Sequence, residues 1–202
     1  VKKTTKGIYF KGVCEKDIVN TVIDYFDLDR DYNKIKRILA KVDNNMKESI
    51  KYGEGIRILN QDLWETIISF IISANNNIPR IKGIIERLSK KYGRKIKYNN
   101  KEYYTFQTPE ELSNVSVQEY RKLGLGFRDI RLYETTKMIL NKDVDISKLN
   151  EIKDTNQVRD ELLKLSGVGP KVADCILLFS TLKRFDVFPI DEEYPLRIEF
   201  FD

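Results

Sequence analysis

The chain has 202 residues, enough for one large domain or two lobes with a buried core. Its 36 Lys and Arg residues outnumber 31 Asp and Glu, and the net charge of +5 suits a polyanionic partner as well as a basic housekeeping protein. Two cysteines and no histidine exclude a four-thiolate iron–sulfur cluster and argue against catalytic zinc, so we expect no cofactor. The sequence shows neither a transmembrane run of about 18 apolar residues nor a signal peptide, which predicts an intracellular, reduced protein without a membrane partner.

The first predicted elements are a short strand and three helices. Residues 1–14 contain a β-like run bounded by Gly7 and Gly12. Apolar residues then recur at three- and four-residue spacing, which predicts helices from about residues 15, 32 and 46. We expect each helix to pack one face on a core and to leave its charged face in solvent.

The longest apolar segment begins after Asp62 and runs to Ala74. Its apolar residues face nearly all sides, so we predict a buried central helix. The segment runs into Asn75-Asn76-Asn77, residues that favour caps and turns, and Pro79 restarts a basic helix through Tyr92. An asparagine triplet taken alone indicates a polar turn between helices.

A Gly-x-Gly turn interrupts the middle of the chain. The predicted elements around it are a tyrosine-rich connector with room for a hairpin at 95–106, a capped helix start at Thr108, a short helix at 117–123 and a longer helix ending near Leu140. The turn itself is Gly124-Leu125-Gly126, followed at once by Phe127 and Arg128. An aromatic residue in this place suits a turn that faces DNA, where the ring can wedge between bases.

A second Gly-x-Gly turn, Gly167-Val168-Gly169, separates a predicted helix over 156–165 from one that begins at Pro170. Proline suits a first helical position because its missing N–H would have no partner there. The free N–H groups at the start of the second helix favour an anion such as phosphate. Gly-x-Gly between helices is common, so an ordinary hairpin of two helices is the alternative.

Lys171 and Asp191 add chemistry to this hairpin. The positive end of the helix dipole disfavours a charged lysine, so we expect a lowered pKa for Lys171 and a free amine. A free amine can attack a sugar carbon and form a Schiff base. Asp191 follows a Pro-Ile turn, and a carboxylate stabilises positive charge on a sugar. The alternative for Lys171 is a surface lysine that contacts phosphate.

Together these motifs resemble the helix-hairpin-helix DNA glycosylase superfamily and, within it, the 8-oxoguanine DNA glycosylase/lyase branch. The resemblance implies an all-α, two-lobed helix-hairpin-helix glycosylase fold, with residues 1–14 as the remnant of an N-terminal β domain. One lobe is expected over 63–156, and the other over 15–62 plus 157–202 with the hairpin at about 157–181. The family's remaining N- and C-terminal parts are expected to lie outside this sequence.

The same resemblance implies roles for individual residues. Lys171 would attack C1′ of the damaged nucleotide, and Asp191 would stabilise the charge that develops on the sugar. Three further groups follow: Asn75 in the space left by the flipped base, Arg80 and Arg128 on the opposite cytosine, and Phe127 as the wedge. The remaining expected sites are DNA contacts at Asn76, Asn77, Gly167, Val168 and Gly169, and a lesion pocket at Cys175.

The resemblance also implies an ion site at the hairpin. The hairpin carbonyls could hold a monovalent cation, and no other metal is expected.

Two residues or segments fit the resemblance less closely. Cys175 also fits the plainer description of a small buried helix residue. After Asp191 the sequence departs from the family pattern, because Glu192, Glu193 and Pro195 stand where an aromatic-containing helix is expected.

The expected function is base-excision DNA repair. The enzyme would excise 8-oxoguanine, preferably opposite cytosine, through a Schiff base on Lys171, and would then cleave the strand by β-elimination. Its expected partner is damaged double-stranded DNA, bound by a monomer. The alternatives are a glycosylase of the same superfamily for alkylated bases or oxidised pyrimidines, and a non-catalytic DNA-binding hairpin protein.

Overall fold

The computed structural model describes residues 2–4, 7–9 and 18–190. Asp191, a predicted catalytic residue, therefore lies outside the described residues, together with residues 192–202. The chain divides into two compact units, Val1–Leu59 and Asn60–Asp202. The division into lobes that the family resemblance implies stays a prediction.

The first unit holds a strand pair and three short helices. Strand β1 (Lys2–Thr4) pairs antiparallel with β2 (Gly7–Tyr9), and the helices are α1 (Val19–Tyr25), α2 (Tyr32–Leu39) and α3 (Asn44–Tyr52). Aspartates begin the last two helices, since Asp31 accepts from the Lys34 amide at 2.9 Å and Asp43 from the Met46 amide at 2.7 Å. The predicted order of strand and helices is found here.

The second unit is helical apart from one hairpin within its described residues. Its elements are α4 (Leu63–Ser73), α5 (Ile78–Tyr92), β3 (Lys95–Tyr98), β4 (Lys101–Tyr104), α6 (Val117–Lys122), α7 (Arg128–Leu140), a 3₁₀ helix (Ile146–Glu151), α8 (Thr155–Leu163) and α9 (Pro170–Phe179). Strands β3 and β4 pair antiparallel, with Tyr98 opposite Lys101. Asn99 and Asn100 make the turn between them, both with positive φ.

Helix α4 forms the centre of this unit. The side chains of Ile67, Ile68, Ile71 and Ile72 are fully buried, as the apolar pattern predicts. Asp62 caps the helix by accepting from the Glu65 amide at 2.9 Å. Since a buried isoleucine contributes about 1.5–3 kcal/mol, this one helix supplies a large share of the unit's hydrophobic stabilisation.

The helix start predicted at Thr108 forms without a helix after it. The hydroxyl of Thr108 accepts from the Glu111 amide at 3.3 Å, and the Glu111 carboxylate accepts from the Thr108 amide at 2.9 Å. Residues 109–114 then continue as turns. The reason lies in the next residues, because Ser116 and Glu119 form a second capping box that already begins α6.

In the part of the chain that the structure describes, no helix has the length and apolar character needed to cross a membrane.

Replacing Gly93 with alanine is expected to destabilise the second unit. A Cβ at Gly93 would collide with the backbone carbonyl oxygen of Thr105, which cannot move away as a flexible side chain could. We expect the free energy of unfolding to fall by about 1–3 kcal/mol, the usual cost of overpacking, in urea denaturation. Gly169→Ala is the matched control, because a Cβ there meets no atom within 4 Å. Equal stability of the two variants would contradict the close packing at Gly93.

Candidate active site

The start of α4 lies beside the end of α9. The amide of Gln61 donates to the Phe179 carbonyl at 3.2 Å, and the Thr181 amide donates to the Gln61 carbonyl at 2.9 Å. The rings of Phe70 and Phe179 stack with their centroids 6.1 Å apart. These contacts fix one helix against the other, so that the end of α4 and the start of α9 border the same space.

That space is a cavity of about 530 Å³, lined by Phe70, Ser73, Ala74, Asn75, Asn76, Lys171, Val172 and Cys175. A cavity of this size is within the range of small-ligand sites. Lys171 stands at the second position of α9 with an exposed side chain. Cys175 lies one turn further along and is only 8% exposed. The structure thus brings Lys171, Asn75 and Cys175 together, although they come from opposite ends of the unit.

The hairpin between α8 and α9 presents its backbone openly. Gly167 has φ of +83°, a left-handed conformation that other residues rarely adopt, and Val168 is buried beneath the turn. Gly169 caps α9, and no atom lies within 4 Å of the position that a Cβ would take. An ion pair of Arg159 with Asp174, 2.6 Å apart, joins the two helices. A phosphate can therefore approach the N–H groups at the start of α9 closely.

Among the predicted site residues that the structure describes, Arg128 is the most deeply buried, with 1% exposure. Its Nε donates to the Ala74 carbonyl at 2.8 Å, one Nη to the Asn75 carbonyl at 2.6 Å and the other to the Leu125 carbonyl at 3.2 Å. Burial lowers the pKa of Arg128, and the positive charges of Arg80 and Arg131 lower it further. Sequence reasoning missed this set of bonds. The predicted contact with cytosine stays a prediction, and the observed bonds hold the turn that carries Asn75.

The three asparagines have different surroundings. The Asn76 side chain donates to the Ile72 carbonyl at 3.0 Å and accepts from the Asn77 amide at 3.0 Å, and Asn77 caps α5. Their amides thus build the polar turn that the triplet alone indicates. Asn75 has a positive φ of 48°, and its side chain makes no hydrogen bond within residues 18–190. Asn75 therefore lines the cavity with a side-chain amide that the turn itself does not use.

Phe127 and Arg80 lie on the surface near this turn. The Phe127 ring is 52% exposed, and the guanidinium carbon atoms of Arg128 and Arg131 lie 4.3 Å and 5.1 Å from its centroid. Arg80 is exposed and donates from one Nη to the Gly124 carbonyl at 3.2 Å. An exposed aromatic ring between cations is typical of a surface that meets nucleic acid.

Asp191 cannot be placed relative to Lys171, because it lies outside the described residues. Among residues 18–190 no cluster of cysteine and carboxylate groups is suited to a metal ion.

Two family models match separate parts of this chain. Residues 1–67 match the N-terminal domain of 8-oxoguanine DNA glycosylase, and residues 156–179 match the helix-hairpin-helix motif. The structure of MBOgg1 in complex with a low-affinity DNA ligand has a TM-score of 0.85 to this chain at 40% identity, covering 95% of this chain and 72% of that one. This chain belongs to the 8-oxoguanine DNA glycosylase family. The predicted all-α helix-hairpin-helix glycosylase fold is thereby confirmed.

Two other relatives are longer than this chain. An N-glycosylase/DNA lyase of Saccharomyces cerevisiae is 38% identical over 152 residues, which cover 68% of this chain and 39% of the yeast protein. The 8-oxoguanine glycosylase/lyase of Clostridium acetobutylicum, solved with double-stranded DNA containing cytosine opposite 8-oxoguanine, is 42% identical with a TM-score of 0.83. The match covers 89% of this chain and 61% of the Clostridium protein. The chain therefore spans less than two thirds of either protein.

Arg128→Ala is expected to destabilise the turn that carries Asn75. The substitution leaves the carbonyls of Ala74 and Asn75 without their charged donor, a loss of about 1–3 kcal/mol in the free energy of unfolding. Urea denaturation measures this loss, and Phe127→Ala is the control because the Phe127 ring is exposed. An Arg128→Ala protein as stable as the parent would show that water replaces the guanidinium without cost.

Proposed function

We propose that this chain excises an oxidised purine, 8-oxoguanine opposite cytosine, from damaged double-stranded DNA and then cleaves the strand at the resulting site. The observation that carries the proposal is the shared cavity of Lys171, Asn75 and Cys175 beside the open hairpin. Family membership supports it, as do the yeast relative named N-glycosylase/DNA lyase and the Clostridium enzyme bound to an 8-oxoguanine:cytosine duplex. These relatives favour a catalytic protein over a binding module.

Lys171 is the proposed nucleophile. Its amine forms a bond to C1′ while the bond from C1′ to the base breaks, and the base leaves with a proton. Opening of the sugar ring and loss of a proton from nitrogen give a Schiff base. Removal of a C2′ proton then expels the 3′ phosphate by β-elimination. The proposal assigns to Asp191 the carboxylate that stabilises positive charge on the sugar.

Extruding a base from a duplex costs a few kcal/mol, which inserted side chains partly offset. Phe127 is the proposed wedge, since its ring is exposed at a turn in which Arg80 donates to the Gly124 carbonyl and Arg128 to the Leu125 carbonyl. Asn75 is proposed to fill the vacated space, and Arg80 and Arg128 to contact the opposite cytosine. For Arg128 this requires some of its bonds to carbonyls to be exchanged on binding.

The proposal also holds that the protein acts as a monomer inside the cell. Binding of a monovalent cation at the hairpin stays a prediction.

Lys171→Gln is expected to abolish the covalent complex that borohydride traps, while binding of damaged DNA stays nearly unchanged. The glutamine keeps the size of the side chain and removes the nucleophilic amine. Trapping is measured on an abasic-site duplex and on an 8-oxoguanine:cytosine duplex. Lys164→Gln is the matched control, because Lys164 lies in the same hairpin region and pairs with Glu161 at 2.6 Å on the surface.

Two outcomes of this experiment bear on different parts of the proposal. A Lys171→Gln protein that traps abasic DNA as well as the parent would place the nucleophile elsewhere. If the parent protein forms a trapped complex with abasic DNA but not with the 8-oxoguanine duplex, the proposed lesion is wrong, but the proposed lyase reaction still stands. Asp191→Asn in the same assay is expected to keep binding and to slow base release strongly, because its charge serves the transition state.

Gly169→Ala is expected to weaken binding of every DNA sequence alike. The protein has room for the added methyl group, so folding is retained, but the methyl group stands where a phosphate would approach. We expect a loss of about tenfold in affinity, the value of one charged hydrogen bond, in fluorescence anisotropy with damaged and undamaged duplexes. If a folded Gly169→Ala protein binds DNA as tightly as the parent, the proposed phosphate contact at this turn is wrong. Gly167→Ala serves as contrast, because its Cβ would press on the Arg131 side chain and lower stability as well.

A further inference from the structure

Arg131 lies on α7 between the two surfaces that the proposed function assigns to DNA. Its Cδ is 2.8 Å from the position that a Cβ would take at Gly167, so its aliphatic stem covers the hairpin turn. Its guanidinium carbon lies 5.1 Å from the ring centroid of Phe127. One half-buried side chain thus contacts both the hairpin and the proposed wedge.

Helix α7 also forms hydrogen bonds with the hairpin, about one turn after Arg131. The hydroxyl of Thr135 donates to the Ser166 carbonyl at 2.8 Å, and the Ser166 hydroxyl donates to the Glu134 carboxylate at 2.6 Å. The place of Arg131 against Gly167 is therefore fixed by neighbouring bonds and does not depend on its own long side chain.

The charge of Arg131 is not matched by a carboxylate in the described part of the chain. Its own helix carries two acidic residues, of which Asp129 pairs with Arg121 at 2.7 Å, and Glu134 accepts from the Ser166 hydroxyl and forms no ion pair with Arg131. The positive charges of Arg80 and Arg131 both act on Arg128, which places three cations in one neighbourhood. Gathering like charges costs free energy unless an anion joins them.

We propose that Arg131 binds a DNA phosphate and completes the anion site of the hairpin. The inference rests on the proposed function, because it takes DNA to be the ligand. The planar guanidinium can donate two parallel hydrogen bonds to phosphate oxygens. The stem that carries it lies against Gly167, two residues before the Gly169 cap of α9. Because the guanidinium also lies over the Phe127 ring, binding the phosphate steadies the wedge in the position from which it enters the duplex.

The experiment compares Arg131→Met, Arg131→Lys and Arg94→Met with the parent in binding an abasic-site duplex at several salt concentrations. Methionine keeps an unbranched stem against Gly167 and removes the charge, whereas lysine keeps the charge. Arg94→Met is the matched control, because it removes the same charge from the surface at the far end of α5, where Arg94 lies 4.0 Å from Glu111. Thermal unfolding of each variant checks that stability is unchanged.

Arg131→Met is expected to weaken binding about tenfold at 0.1 M salt and to reduce the slope of log affinity against log salt by about 0.9, the value of one phosphate contact. Arg131→Lys is expected to keep the parent's slope, and Arg94→Met to keep slope and affinity. The loss should be the same with cytosine or adenine opposite the lesion, because phosphate contacts carry no sequence information. Three results would overturn the inference: a parent-like slope in Arg131→Met, a loss confined to one opposite base, or a loss that follows lowered stability. Failure of the parent to bind the duplex would instead contradict the proposed function.

Discussion

The packing of α4 against α9 determines where the candidate site residues lie. Helix α4 is apolar on nearly all sides and is stable only when other helices cover it. The backbone bonds between Gln61 and the end of α9 fix the pair at one end, and the Phe70–Phe179 stack continues the contact. The opposite ends of the two helices then border the cavity, and its lining includes Asn75, Lys171 and Cys175, to which the family resemblance assigns roles.

Around this gap, guanidinium groups stabilise the turns by bonding to backbone carbonyls. Arg128 bonds to the turn after α4, Arg80 to Gly124 and Arg87 to Leu123, the last at 2.9 Å. The backbone carbonyls of surface turns usually bond to water, and a charged side-chain donor holds such a turn more firmly in one conformation. The Phe127 ring and the Asn75 amide are thus presented on turns with a set shape, which lowers the entropy that binding must offset.

Local signals in the sequence predict most of the helices and the hairpin. Asp62, Asn77 and Pro170 each mark a helix start that the structure contains, because capping depends on neighbouring residues alone. Thr108 shows the limit of such signals. Its cap forms, but the Ser116 cap of α6 follows so closely that no helix develops between them.

Long-range contacts could not be predicted from the same signals. The cavity joins residues of α4 with residues of α9, and only the family resemblance indicated that Asn75, Lys171 and Cys175 belong together. The burial of Arg128 gave no signal either, because an arginine after a glycine turn has the same pattern whether it faces solvent or three carbonyls. The contacts of Arg131 with Gly167 and Phe127 likewise depend on how α7 packs on the hairpin.

The residue that carries the sugar after borohydride reduction can be read directly by peptide mass spectrometry. The parent protein is incubated with an abasic-site duplex and reduced, the DNA is digested, and the peptide that gained the mass of the sugar remnant is sequenced. A nucleophile placed on the cavity by α9 predicts a single modified residue, Lys171. A remnant on another lysine or on the terminal amine, with Lys171 unmodified, would contradict that placement.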